Sequence, residues 1–164
     1  MAADSERLAH ARWVLERQIH WIAAAEVKVG VVIAIDTGLL GALAGALNGN
    51  RATTHAYFGL VCSFLAAVLL ALAILCAAMT VLPRVDGPPS SMIFFGRIAA
   101  KLQAEFERQF TDANTDDFLG DCVAQIHRNA EIACAKFGWV RKSMWCSFVA
   151  APLWAAAIAT LVRA

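Results

Sequence analysis

Apolar residues fill three long stretches of this chain, at Val29–Leu47, Tyr57–Leu82 and Ser143–Val162. Each stretch is close to the roughly 20 residues that a helix needs to cross about 30 Å of hydrocarbon. Asp36 is the one charged residue within them. A helix of a soluble protein rarely stays this apolar over its whole length, because one side of it meets water. The pattern therefore predicts three transmembrane helices.

Polar residues return between the second and third stretches, and their spacing there is helical. Ser90 and Ser91 can cap a helix with an apolar residue at every fourth position, and a loop over Thr111–Thr115 precedes a last helix. Asn114 and Asp117 have the spacing of a capping box at the start of that helix. The apolar positions are Ile98, Leu102, Phe106 and Phe110 in the first helix, and Leu119, Cys122, Val123, Ile126, Ala130, Ala133 and Phe137 in the last. No stretch alternates as a strand does. The predicted fold class is an all-α membrane protein, with a small helical cytosolic module between the second and third transmembrane helices.

Breaks in this pattern divide the chain into segments. No Gly or Pro precedes Gly30 in the first helix, which should therefore run unbroken into the first span. Asn48-Gly49-Asn50 is a turn signal, and Pro83 ends the second span. Gly138 and Pro152 can bend the last helix without ending it. The predicted segments are a cytosolic amphipathic helix continuous with the first span (1–28), a two-helix transmembrane hairpin (29–82), a cytosolic ligand-sensing module (83–142) and the third transmembrane helix (143–164).

Charge predicts how the chain is oriented. Four basic residues precede the first span and eight lie in residues 83–142, whereas only Arg51 lies in the first loop and only Arg163 follows the third span. Lys and Arg stay on the cytoplasmic side of a membrane. We therefore expect a multi-pass protein with a cytosolic N-terminus and an external C-terminus. Eight acidic residues balance the eight basic ones in residues 83–142, so the module lacks the basic excess that nucleic acid requires.

The chain shows no motif for catalysis or for metal binding. It has no Gly-rich phosphate loop, no nucleophile motif and no pair of His residues at ligand spacing. None of its five Cys forms a CxxC pair. The sequence thus predicts no enzyme, no catalytic residue and no metal site. His127 stands alone on the last helix and is read as a packed or exposed residue.

The first span carries two features of interest. An intramembrane carboxyl such as Asp36 costs about 2.5–3.5 kcal/mol on insertion scales and is a functional candidate by default. It can line a pore or hold a hydrogen bond across an oligomer, or it can be a neutral group bonded to Thr37 or to a neighbouring helix. Gly38, Gly41 and Gly45 form a face of small residues that lets helices approach closely. That face suits a homo-oligomer, or packing on the second span of the same chain.

A polar stripe follows the last helix through the cytosolic module. Asp121, Gln125, Asn129 and Lys136 are spaced by four, four and seven, which places them on one face. A carboxylate and two amides suit the edges of a base or ribose, and an ammonium suits a phosphate. The stripe is thus a candidate binding site for a small polar molecule, and the alternative is a solvated helix face.

Two segments of the chain share a pattern with one known family. The first runs from Trp21 through Glu26 and Lys28 into Gly30-Val-Val-Ile-Ala-Ile-Asp36, and the second joins Phe94-Phe95-Gly96 to the stretch from Leu119 to Phe137. They resemble the transmembrane effectors of Pycsar, the pyrimidine cyclase system for antiphage resistance. Asp36 departs from the pattern, in which Asn is expected.

The resemblance implies an effector in the bacterial inner membrane, paired with a cyclase that makes cyclic CMP or cyclic UMP on phage infection. The cyclic nucleotide would be the activating ligand, and no other cofactor is implied. Binding would impair the membrane until the infected cell dies, which is abortive infection. The expected partners are membrane lipid, the nucleotide, the cyclase and further copies of the chain.

Two other functions are compatible with the residues alone. One is a structural or adaptor membrane protein that docks a partner through its cytosolic helices. The other is a small channel or transporter subunit with Asp36 on its path. A nucleotide cyclase encoded beside the protein would favour the effector.

Overall fold

The structure is a computed structural model that describes residues 2–49 and 56–162, with side chains described for residues 4–48 and 57–162. Five helices follow one another along the described residues, which contain no strand. The prediction of an all-α fold is confirmed. The helices are α1 (Ala2–Gly49), α2 (Ala56–Val81), α3 (Phe95–Ala99), α4 (Gln103–Asp112) and α5 (Thr115–Val162).

Helices α1, α2 and α5 are each long and apolar enough to cross a membrane. Both α1 and α5 extend over 48 residues without a break, as the sequence predicts. Pro152 lies inside α5 and does not end it, and α2 ends at Val81, shortly before Pro83. The predicted turn at Asn48–Asn50 and the loop that follows it lie largely outside the described residues.

The region between α2 and α4 differs from the prediction of one helix starting at Ser90 and Ser91. The Ser91 hydroxyl accepts hydrogen bonds from the backbone N–H groups of Ile93 (3.1 Å) and Phe94 (2.9 Å), which closes a turn instead of a helical first turn. Helix α3 begins only at Phe95 and ends at Ala99. The extended backbone of Leu102 then separates α3 from α4.

The start of α5 agrees with the predicted capping box. The Asn114 side chain accepts a hydrogen bond from the Asp117 N–H (3.0 Å), and the Asp117 carboxylate accepts one from the Asn114 N–H (2.9 Å). The loop before α5 is shorter than the predicted Thr111–Thr115, because α4 continues to Asp112.

The chain divides into two compact units. Unit 1 comprises Met1–Ala24 and Pro83–Ala135, and unit 2 comprises Ala25–Leu82 and Lys136–Ala164. Helices α1 and α5 therefore each contribute residues to both units.

Small side chains form the interior of unit 2. One buried cluster contains Ala25, Val29, Ala77 and Val140, and a second contains Leu43, Cys62, Ala66 and Ala157. Each cluster draws residues from α1, α2 and α5, so all three helices pack on one another. Small residues allow this close packing, which holds membrane helices together where the hydrophobic effect does not. Large apolar side chains such as Val31, Phe64 and Phe148 are instead exposed, as expected for a surface that faces lipid.

Candidate functional site

Unit 1 contains an open cavity of about 590 Å³ between the turn that follows α2, the end of α4 and the start of α5. Gln109 and four carboxyl groups are among the residues that line it, and no Lys or Arg is. The four acidic residues are Asp112, Asp116, Asp117 and Asp121. The cavity is therefore rich in hydrogen-bond acceptors and carries negative charge.

One wall of this cavity is a turn that two residues of the polar stripe hold against α5. Asp121 Oδ2 accepts hydrogen bonds from the N–H groups of Met92 (2.7 Å) and Ile93 (3.1 Å). Gln125 Nε2 donates to Ser91 Oγ over 2.9 Å. Ser91, Met92 and Gln125 are all buried. The buried Met92 N–H lies outside a helix and needs an acceptor, which Asp121 supplies. The exposed Ile93 N–H is shared between Asp121 Oδ2 and Ser91 Oγ.

The remaining stripe residues are placed differently. Lys136 belongs to unit 2, where its Nζ donates to Glu26 Oε1 over 2.6 Å and only 4% of the residue is exposed. Asn129 is half-buried in unit 1, and its amide has no hydrogen-bond partner among the described residues. The structure thus brings Asp121 and Gln125 together on one turn and pairs Lys136 with another helix. Assignment of these four residues to a ligand stays a prediction.

The buried face of α5 overlaps the predicted apolar seam only in part, since Cys122 and Ala133 of that seam are buried. Gln125 and Lys136 are buried, whereas Val123 and Phe137 are 54% and 38% exposed. Buried hydrogen-bond partners on other segments explain the difference, because they satisfy polar groups that would otherwise stay in water. His127 is exposed, which is one of the two placements that the sequence predicts. Its Nδ1 atom lies 3.7 Å from Glu131 Oε1.

Other charged groups of unit 1 fasten the segment that follows α2. Arg128 Nε donates to the Asp86 carbonyl (3.0 Å), and its Nη1 donates to Glu131 Oε2 (2.8 Å). The Arg128 hydrogen bond lowers the pKa of the Glu131 carboxyl. Burial raises the pKa of the Cys122 thiol, so Cys122 packs as a small neutral group.

Polar contacts tie α5 to the other two helices of unit 2. Ser147 Oγ donates to Asp36 Oδ2 (2.9 Å), and Ser143 Oγ donates to the Ala73 carbonyl (2.8 Å). Trp154 Nε1 donates to the Leu39 carbonyl (2.9 Å). The bond from Asp36 to a neighbouring helix was one predicted alternative. Asp36 is fully buried, and its Oδ1 has no hydrogen-bond partner among the described residues.

The glycine face of α1 is open in the structure. A Cβ atom added at Gly38, Gly41 or Gly45 would meet nothing within 4 Å, so the described part of the chain does not pack α2 on these residues. The close approach of α2 occurs elsewhere, at Gly59, where an added Cβ would lie 2.6 Å from Thr160 Oγ1. Self-association through the open face stays a prediction.

Several contacts carry no signal in the local sequence. The partners of Ser91, Glu26 and Ser147 were not predicted from the sequence, because each lies at least 34 positions away. No group of three or more His, Cys, Asp or Glu in the described residues is arranged to hold a metal ion.

Comparison with known protein families gives a match over most of the chain. The family model of the Pycsar effector protein domain matches residues 10–163. No curated protein and no solved structure matches the chain.

Proposed function

Because the chain belongs to the Pycsar effector protein domain family, we propose that it binds cyclic CMP or cyclic UMP made by a partner cyclase and then impairs the bacterial inner membrane. The match over residues 10–163 is the observation that carries the proposal, since it covers both units. Membership makes the protein an effector of antiphage defence and not the cyclase. Death of the infected cell before phage release, which is abortive infection, is the proposed outcome.

The properties of unit 2 support the membrane part of the proposal. Its helices are apolar enough to cross a membrane, and large apolar side chains lie on its outside. Three helices packed on small residues leave no wide aqueous path within one chain. We therefore propose that several copies assemble when the membrane is impaired, through the open face formed by Gly38, Gly41 and Gly45.

The geometry of unit 1 supports a specific orientation of the nucleotide. Carboxylates line the cavity and would repel the phosphate, which carries one negative charge in a cyclic nucleotide. The base or ribose, whose N–H and O–H groups can donate to carboxylates, would face the cavity instead. Asp121 uses Oδ2 to hold the turn, which leaves Oδ1 for a ligand in the cavity. Asn129 is not among the residues that line the cavity, so its amide would contact the part of the nucleotide that lies outside it. Gln125 would act by positioning the turn.

Lys136 can meet the phosphate only if its ion pair with Glu26 opens. Its proposed place in the ligand site is therefore conditional on a conformational change. This makes Asp121 and Asn129 the better candidates for direct recognition of the nucleotide.

A channel subunit is a second candidate function, and Asp36 favours it. A fully buried carboxyl with one unpartnered oxygen among the described residues is the kind of group found along ion and proton paths. Such a channel would not need a nucleotide.

Coexpression with a pyrimidine cyclase tests the proposal. Cells carrying the protein and an active cyclase should lose their membrane potential, read with a potential-sensitive dye, and take up propidium iodide. Cells with the protein and a catalytically inactive cyclase should keep the potential. Loss of potential in both strains would favour the nucleotide-independent channel, and no loss in either would refute the effector function.

A further inference from the structure

The shortest hydrogen bond between α1 and α5 in unit 2 is the ion pair of Glu26 and Lys136, whose Oε1 and Nζ atoms are 2.6 Å apart. The two ends of the pair are exposed to different degrees. The Lys136 side chain is 5% exposed and that of Glu26 is 46% exposed. A buried ammonium depends on its partner, because it has lost its hydration shell, whereas a half-exposed carboxylate can turn to water.

The surroundings of the pair show what it holds together. Val140, one turn after Lys136 on α5, is in the buried cluster with Ala25 and Val29 of α1. Lys28 Nζ lies 5.9 Å from the centre of the Phe137 ring, which adds a second contact between the same two helices. The pair thus closes one end of the α1–α5 packing in unit 2.

The position of the pair in the sequence is equally informative. Unit 2 begins at Ala25 in α1 and resumes at Lys136 in α5. Both partners therefore stand within two residues of the point where their helix changes from one unit to the other. Lys136 is the first residue of unit 2 in α5, and Glu26 directly follows the first residue of unit 2 in α1.

We propose that the Glu26–Lys136 ion pair is a latch that keeps the α1–α5 packing of unit 2 closed at rest, and that its opening accompanies membrane impairment. The latch rests on the proposed function in one respect only: binding of the nucleotide in unit 1 is the signal that opens it.

Charge variants expressed without any cyclase test the latch, with propidium iodide uptake as the readout. Glu26→Gln should leave the buried ammonium unpaired and raise uptake about tenfold or more over the parent. Lys136→Met should raise uptake less, because the Glu26 carboxylate left behind can be solvated. The double variant Glu26→Lys with Lys136→Glu should return uptake to the parent level by restoring a pair of opposite charges.

A matched control is Glu131→Gln, which breaks the exposed pair with Arg128 and should leave uptake unchanged. The amount of each variant in the membrane fraction is measured alongside. Parent-level uptake by Glu26→Gln at parent abundance would overturn the latch, and so would equal uptake by the single and double variants.

A measurement on the parent protein tests the latch even where the variants fail to accumulate in the membrane. Lys136 should resist a water-soluble amine-acetylating reagent in resting membranes, whereas Lys142, which is exposed, should react. In membranes from cells with an active cyclase, acetylation of Lys136 should rise severalfold, and unchanged protection during membrane damage would overturn the latch. If the variants leak without a cyclase but the active cyclase never causes damage, the latch stands and the proposed function fails.

Discussion

Replacement of Ser147 by alanine removes the one hydrogen-bond donor that the described residues provide to the Asp36 carboxyl. Ser147 Oγ lies 2.9 Å from Asp36 Oδ2, and it also lies 3.1 Å from the Ser143 carbonyl of its own helix. A hydroxyl has one proton, so it can donate to only one of these acceptors at a time. The bond to Asp36 therefore competes with a bond within α5.

The expected loss follows from this geometry. Hydrogen bonds between membrane helices contribute about 0.6 kcal/mol on average and at most about 1.7. Asp36 is fully buried with Oδ1 already unpartnered, so loss of Ser147 would leave the whole carboxyl without a donor in the described structure. An unsatisfied buried group costs about 1–3 kcal/mol. We expect Ser147→Ala to lower the free energy of unfolding by about 1–1.7 kcal/mol, where the two ranges overlap.

Removal of both partners should be less harmful than removal of the donor alone. In an Asp36→Ala background no carboxyl is left unsatisfied, and Ser147→Ala should then cost only a few tenths of a kcal/mol, as expected for a change that leaves no orphaned group. The double-mutant cycle should therefore show a coupling of about 1 kcal/mol. Unfolding of the full-length protein in detergent micelles, titrated with sodium dodecyl sulfate and followed by circular dichroism, provides the four free energies.

Ser63 provides a matched control. It is a buried serine whose hydroxyl donates to the Gly59 carbonyl of its own helix (2.7 Å), without contact to Asp36. Ser63→Ala should have the same effect in the parent and in the Asp36→Ala background. An equal effect of Ser147→Ala in both backgrounds would show that the 2.9 Å contact contributes nothing and would refute this reasoning.

Three further predictions concern the ligand, the assembly and the orientation. Asn129→Ala should weaken binding of the cyclic nucleotide about fivefold or more without a change in thermal stability. Asp121→Ala should lower both the affinity and the stability, since it also removes the acceptor of the buried Met92 N–H. Calorimetry and melting curves check this, and an unchanged affinity of the Asn129 variant moves the site elsewhere. Gly41→Ile with Gly45→Ile should reduce cross-linked oligomers in detergent while membrane insertion is kept, and identical oligomers would exclude this face as the contact. Alkaline phosphatase fused after Ala164 should be active and green fluorescent protein dark, and the reverse would contradict an external C-terminus.

Local features of the sequence predict a large part of this fold. The three long apolar helices follow from length and composition, which need no knowledge of tertiary contacts. The cap formed by Asn114 and Asp117 is predictable because its two partners are three residues apart. Pro83 ends a helix because it has no backbone N–H and its ring clashes with the preceding turn. Each of these signals lies within a few residues of its effect.

The candidate site could be predicted only in part, because its contacts join distant residues. Spacing places Asp121 and Gln125 on one helix face, but it does not indicate that a turn 28 to 34 positions earlier occupies that face. Likewise, no local pattern shows that the partner of Lys136 is Glu26, 110 positions away. A polar stripe on a helix can therefore be a ligand site or a set of residues that bond to other segments of the chain. Only the tertiary structure distinguishes the two.

Release of a dye from vesicles tests the central claim most directly. The full-length protein is reconstituted in vesicles of phosphatidylethanolamine and phosphatidylglycerol that contain a self-quenched fluorescent dye. Cyclic CMP, cyclic UMP or cyclic AMP is then added. We predict release with cyclic CMP or cyclic UMP and none with cyclic AMP. Intact vesicles with both pyrimidine nucleotides, although the protein is inserted, would contradict a nucleotide-activated effector.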